Sequence, residues 1–185
     1  MEKKQGLVKY FWQITYSHTI SYFIAGIIAM VFIDYREWWA TEAFTAFYRD
    51  IDSPIVALGG GFLQIFRGLI VALVLLPLRK TFFEEKYGLL KLALIILGFS
   101  IISTYAAAIT SIEGLIYLKV PLIYHIRGIP EGLIWLSLFI GILHISIKYS
   151  HKKIVTILSI LIVVLIVLMT SIAYLGAMGY LSGWI

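Results

Sequence analysis

Of the 185 residues, 61% are hydrophobic and 14% charged, and mean hydropathy is +0.96; a soluble domain carries about a quarter charged residues, so this composition excludes one. Cysteine is absent, which removes disulfides, thiolate metal sites and a thiol nucleophile together. In so apolar a chain the net charge of +5 reports which side of a bilayer the cations occupy, and no nucleic-acid partner is expected.

Continuous apolar runs of roughly 20 residues suit membrane helices, whereas a transmembrane barrel shows short segments of alternating polarity. The expected fold is all-α: one integral membrane helical bundle over 1–185, with spans near 11–33, 54–78, 88–109, 120–147 and 154–175. The first span follows a basic amino-terminal stretch, carries Ser17, His18, Ser21 and Tyr22, and has no small-residue cleavage site after it. It reads as a retained anchor. In the connection that follows, Tyr35, Trp39, Ala43, Ala46 and Phe47 recur at helical spacing, which predicts an amphipathic helix near 35–50 in the outer interface. It would serve as an anchor for two spans or as a lid over an outward cavity, and ordinary aromatic enrichment at interfaces favours the anchor.

The second span begins with the run Gly59, Gly60 and Gly61, then carries Gln64, Arg67 and Gly68. Small residues let a neighbouring helix approach, and amide and guanidinium groups can hydrogen-bond across the contact. The third has hydroxyls at Ser100, Ser103, Thr104 and Tyr105, with Glu113 just beyond it. The fourth holds Tyr124, His125, Arg127, Gly128, Pro130 and Glu131. Pro130 cannot donate to the Ile126 carbonyl, so a bend and an available oxygen are expected there. The fifth has Ser159 as its one polar side chain between 157 and 169 and is expected to face lipid, leaving the first four to enclose the polar groups. The tail at 176–185 is too short to cross again, and Tyr180 and Trp184 suit an interface.

Ten lysines and arginines (Lys3, Lys4, Lys9, Arg79, Lys80, Lys86, Lys91, Lys148, Lys152, Lys153) fall on one side of these spans, against Arg36, Arg49 and Lys119 on the other. The positive-inside rule then places the chain in the cell membrane with its amino terminus cytoplasmic and its carboxyl terminus external. Asp34, Glu37, Glu42, Asp50, Asp52 and Glu113 make the outer face net negative. Laying Arg67-Gly68 on Arg127-Gly128, an offset of 60, aligns spans two and three with four and five as a parallel repeat; a chance match competes with that reading.

The chemistry lies in the two arginines inside apolar runs. An arginine at the centre of a membrane helix costs about 2.5–3.5 kcal/mol and usually faces the protein interior, a partner or a wet cavity. Counting residues puts Arg67 and Glu131 at similar depth, so an Arg67 or Arg127 pair with Glu131 is expected, with Glu113 as a second acid. A guanidinium left over would suit a carboxylate or phosphate. The expected ligand-binding residues are Arg67, Gln64, Arg127, Glu131, His125 and Tyr124, with His18, Tyr22, Ser103 and Glu113 around them.

Three functions compete: binding or passage of a small anionic solute or lipid head group; an accessory or assembly subunit, joined to a membrane protein partner or a second copy, in which the polar cluster is a staple; and a lipid-modifying enzyme with Glu131 or His125 as acid or base. The first leads and the enzyme ranks last, because no nucleophile turn, zinc motif or phosphate loop is present and no cofactor, metal or catalytic residue is expected. His18 and His144 stand at depths that would suit two axial haem ligands, but ordinary hydrogen-bonded histidines are the expectation.

Overall fold

The computed structural model describes residues 6–33, 35–46, 48–102 and 107–180. Every regular element among them is helical: α1 (Leu7–Phe32), α2 (Tyr35–Trp39), α3 (Glu42–Thr45), α4 (Pro54–Gly59), α5 (Phe62–Leu75), a 3-10 turn at Leu76–Leu78, α6 (Arg79–Phe83), α7 (Gly88–Ile102), α8 (Ile112–Tyr117), α9 (Leu122–Lys148) and α10 (Lys153–Ala177). Among the described residues, four stretches are long and apolar enough to cross a membrane: Leu7–Phe32, Phe62–Phe83, Leu122–Lys148 and Lys153–Ala177. The molecule is a helical membrane protein.

One expected span changes. The second starts at Phe62 because Gly61, at φ −143° and ψ −65°, leaves the helical region and separates α4 from α5. Three successive glycines make a helix costly there, at about 1 kcal/mol each relative to alanine. The third is helical over Gly88–Ile102, up to where the described residues stop. Its expected outer end, with Ser103, Thr104 and Tyr105, lies outside the described residues, as do Lys3, Lys4, Asp34, Phe47 and Trp184. The expected interfacial helix is two short helices broken at Thr41, and Trp38 and Phe44 are buried. Their rings pack edge-on to Tyr124 of α9, with centroids 5.3 and 5.4 Å away.

The centre of the bundle is α1. It is buried without interruption from Gln13 to Ser21 although six of those nine residues are Gln, Thr, Ser or His. Lipid tails are as apolar as leucine, so membrane helices sort less by hydrophobicity than by which polar groups must leave the lipid. Each face of α1 is accordingly tied to a neighbour. The Tyr10 hydroxyl donates to the Ala72 carbonyl of α5 (3.0 Å), Trp12 Nε1 to Ser159 Oγ of α10 (3.0 Å), and Gln13 Nε2 to the Ser146 carbonyl of α9 (2.8 Å). Gly68 permits the closest approach: a Cβ there would stand 2.8 Å from the Thr15 Cα.

Around these bonds, Tyr10, Ile14, Ala72, Phe82, Leu92, Phe139 and Leu143 form one apolar core, and Tyr16, Ile20, Val163 and Ile166 a second. The second core corrects the picture of a purely lipid-facing fifth span. Ser159, Val163, Ile166 and Thr170 make a buried stripe at helical spacing, while most other α10 side chains are exposed. Gly179, at φ +81°, closes α10; its amide bonds the Gly176 carbonyl and the Tyr180 amide the Leu175 carbonyl, a Schellman cap. The basic residues gather at one end. Lys9 Nζ donates to the Ser150 carbonyl between α9 and α10, and Arg79 lies over the Tyr10 ring at 5.1 Å.

Candidate functional site

At the end opposite the lysines a cleft of about 700 Å³ opens between the carboxyl-terminal half of α1, the α2 region and α4. Its walls are apolar, with Phe23, Ile27, Met30, Val31 and Ile55 among them, and Tyr22, Tyr35, Gln64, Glu131 and Arg49 bring polar groups into it. A mostly apolar cleft with a few convergent polar groups is the usual form of a small-molecule site.

Gln64 reaches the cleft because α5 turns Gln64, Gly68 and Ala72 toward α1 at spacings of four. Its Nε2 donates to the Gly59 carbonyl at 2.7 Å, which fixes the amide orientation and leaves Oε1 facing His18 Nε2 at 3.0 Å. That geometry assigns the proton to His18 Nε2 and leaves Nδ1, buried and without a partner, as an acceptor. His18 is enclosed by Tyr22, Trp135 and Phe139, with ring centroids 6.0, 5.7 and 6.3 Å away. It is a hydrogen-bonded core histidine. His144 is exposed on α9, so the two do not meet as a ligand pair.

The arginines fall elsewhere than expected. Since Gly68 must face α1, Arg67 is turned about 100° away, and its side chain is exposed beside the Tyr22 ring, 5.6 Å from the centroid. Arg127, two residues from the buried His125, faces away from the bundle centre and lies over Trp38 at 5.6 Å. Each guanidinium thus rests on an aromatic face. Glu131 pairs with neither: its Oε2 accepts from the Tyr35 hydroxyl, and among the described residues the ion pairs are Arg36–Asp52 and Lys91–Glu85. The expected arginine–glutamate staple is therefore replaced by a tyrosine–glutamate bond. Glu113 sits half-buried in α8, away from any such pair. Tyr22 remains within electrostatic reach of both Arg67 and Glu131, so these three share one neighbourhood.

Tyr35, Trp39 and Glu131 also line a second, smaller cleft of about 280 Å³ with Tyr124 and Gly128. The Tyr35–Glu131 bond stands between the two clefts. His125 is buried; its Nδ1 accepts from the Thr110 amide at 3.1 Å, and its Nε2 has no partner among the described residues. It holds the segment before α8 against α9. Above the clefts, Arg36 and Asp52 meet through two hydrogen bonds of 2.9 Å, and Trp39 Nε1 donates to the Arg49 carbonyl at 2.6 Å. The hydrogen bond that Arg36 donates to Asp52, and then the charge of Asp52, raise the Arg36 pKa. Ser103 lies outside the described residues. Tyr35 as partner of Glu131 was not readable from the sequence, since nothing in the spacing links a loop tyrosine to a residue 96 positions on. No family model, curated protein or solved structure matches the chain.

Proposed function

We propose that the protein binds or passes a small anionic solute or a lipid head group at the outer cleft, with Arg67 and the Gln64 amide as donors. The observation that carries this is a cleft of about 700 Å³ with apolar walls, lined in part by Tyr22, whose ring carries Arg67, an arginine with no carboxylate within 4.0 Å among the described residues. A guanidinium on an aromatic ring keeps its planar donor fork free for phosphate or carboxylate. The apolar walls favour a head group with its chain attached over a bare anion. Arg127, over Trp38 beside the smaller cleft, is a second donor for a ligand that reaches past the Tyr35–Glu131 bond. In this reading the amino terminus is cytoplasmic and the cleft faces outward.

Thermal unfolding in a zwitterionic detergent tests it with two probes, inorganic phosphate and a short-chain phosphatidic acid. Saturating lipid at 100 times its Kd should stabilise the protein by about 2.7 kcal/mol, with phosphate weaker. Arg67→Met should remove most of that shift while the unliganded midpoint stays close to wild type. A shift that survives in the double variant Arg67→Met/Arg127→Met refutes the proposal.

The Gly59–Gln64–His18 chain of hydrogen bonds supports a second reading, an assembly subunit whose polar groups hold helices together. Under it, Gln64→Leu would weaken folding or oligomer assembly, and neither probe would bind.

A further inference from the structure

A separate cleft of about 670 Å³ opens at the basic end, between the start of α1, the end of α9 and the start of α10. Val8, Val155 and Ile160 furnish an apolar wall, and Lys9, Lys152 and Lys153 stand on its rim. No acidic residue lines it among the described residues. The first turn of α10 begins at Lys153 with no side-chain cap, so the positive end of that helix dipole faces the rim as well.

Gln13 adds a feature that points to a ligand. It lines this cleft and is 4% exposed. Its Nε2 donates to the Ser146 carbonyl at 2.8 Å. A flipped amide would set two oxygens against each other, so the orientation is fixed. Its Oε1 is left buried with no partner among the described residues. Buried acceptors are almost always satisfied, and this one requires a donor. Lys9 and Gln13 are four residues apart on one face of α1, about 6 Å along the axis.

We propose that this cleft holds one anionic phospholipid with a free head-group hydroxyl. The phosphate sits among Lys9, Lys152 and Lys153, the hydroxyl donates to Gln13 Oε1, and an acyl chain lies along Val8, Val155 and Ile160. A soluble phosphate would leave the apolar wall bare, and a zwitterionic lipid would leave the rim uncompensated. The rim stands where α9 ends and α10 begins, the level at which juxtamembrane lysines meet lipid phosphates.

Trp12 lines the same cleft and reports on it. The full chain, with its other tryptophans replaced by phenylalanine, is placed in nanodiscs containing brominated phosphatidylglycerol, phosphatidylmethanol or phosphatidylcholine. Phosphatidylglycerol should quench Trp12 with an affinity about tenfold above phosphatidylcholine, and about threefold above phosphatidylmethanol, which carries the same charge without the hydroxyl. Gln13→Leu should erase the second preference and keep the first. The triple variant Lys9→Gln/Lys152→Gln/Lys153→Gln should erase the first. Equal quenching by all three lipids overturns the proposal, as does a preference unchanged in either variant. Deleting residues 2–5, which carry Lys3 and Lys4, should leave both preferences intact; their loss would assign the charge to that tail and overturn the assignment too. Should the tryptophan-depleted chain not fold, native mass spectrometry of the unaltered protein from an equimolar mixture reads the same choice. Retention of phosphatidylglycerol and phosphatidylcholine in equal amounts would overturn it.

Discussion

The first and last helices invert the rule of a soluble protein. The most apolar stretch of α10 has a mean hydropathy of 3.0 and is 22% buried, whereas that of α1 has 1.4 and is 56% buried. The more polar helix sits at the centre because lipid rewards apolar surface outside and has no partner for a hydroxyl or an amide. What holds α1 in place is close approach and directed hydrogen bonds, and what holds α10 is one packed stripe.

The contrast breaks most sharply at Gly68. A Cβ there would meet the Thr15 backbone at 2.8 and 3.0 Å, and backbone cannot step aside as a side chain can. Gly68→Val should cost about 3 kcal/mol in a denaturant titration of the detergent-solubilised protein, the upper end for overpacking. Gly98, in α7, has nothing within 4 Å of its would-be Cβ. Gly98→Ala should therefore stabilise by about 0.5–1 kcal/mol, as an ordinary helix-interior glycine does. Equal effects at the two glycines would mean that α1 and α5 do not touch there.

On α10 the test is two adjacent residues. Ile166 is 3% exposed and Leu165 is 56% exposed. Ile166→Ala should open a cavity against Tyr16 and Ile20 and cost about 2 kcal/mol, while Leu165→Ala should stay within about 0.5 kcal/mol. Similar values for both would show that the stripe is not an interface.

The ends of the helices show where the sequence is legible. The helices α1, α9 and α10 begin and end within a few residues of the expected spans, because long apolar runs need only length to be recognised. The start of α5 lies later than the expected span although the signal, three successive glycines, is in the sequence: the same residues that suit close packing also break the helix. Arg67 and Arg127 stand out in the sequence as charged groups in apolar runs, but composition carries no rotational phase. The phase was available for Arg67 from its neighbour, since a glycine required at a helix contact turns the preceding residue aside. Gln13, the one amide in the first span, was passed over. Its importance comes from Ser146, 133 residues on, and no local pattern encodes such a pair.

The smallest expected effect separates packing from hydrogen bonding inside the bundle. His18 and Gln64 join α1 to α5 at 3.0 Å, and Gln64 also holds the Gly59 carbonyl of α4. His18→Leu leaves Gln64 Oε1 without a donor, and Gln64→Leu leaves both the imidazole and that carbonyl unpaired, so each should cost about 1–1.5 kcal/mol. The double variant removes both partners and should cost less than the sum, with a coupling of about 0.6 kcal/mol, the average for interhelical hydrogen bonds in a membrane. Gln64→Leu should cost more than His18→Leu because it strands two groups, the imidazole N–H and the Gly59 carbonyl, and His18→Leu strands one. Additive losses would mean that the two side chains contribute through shape alone, and α1 would then owe its central place to Gly68 and its apolar neighbours.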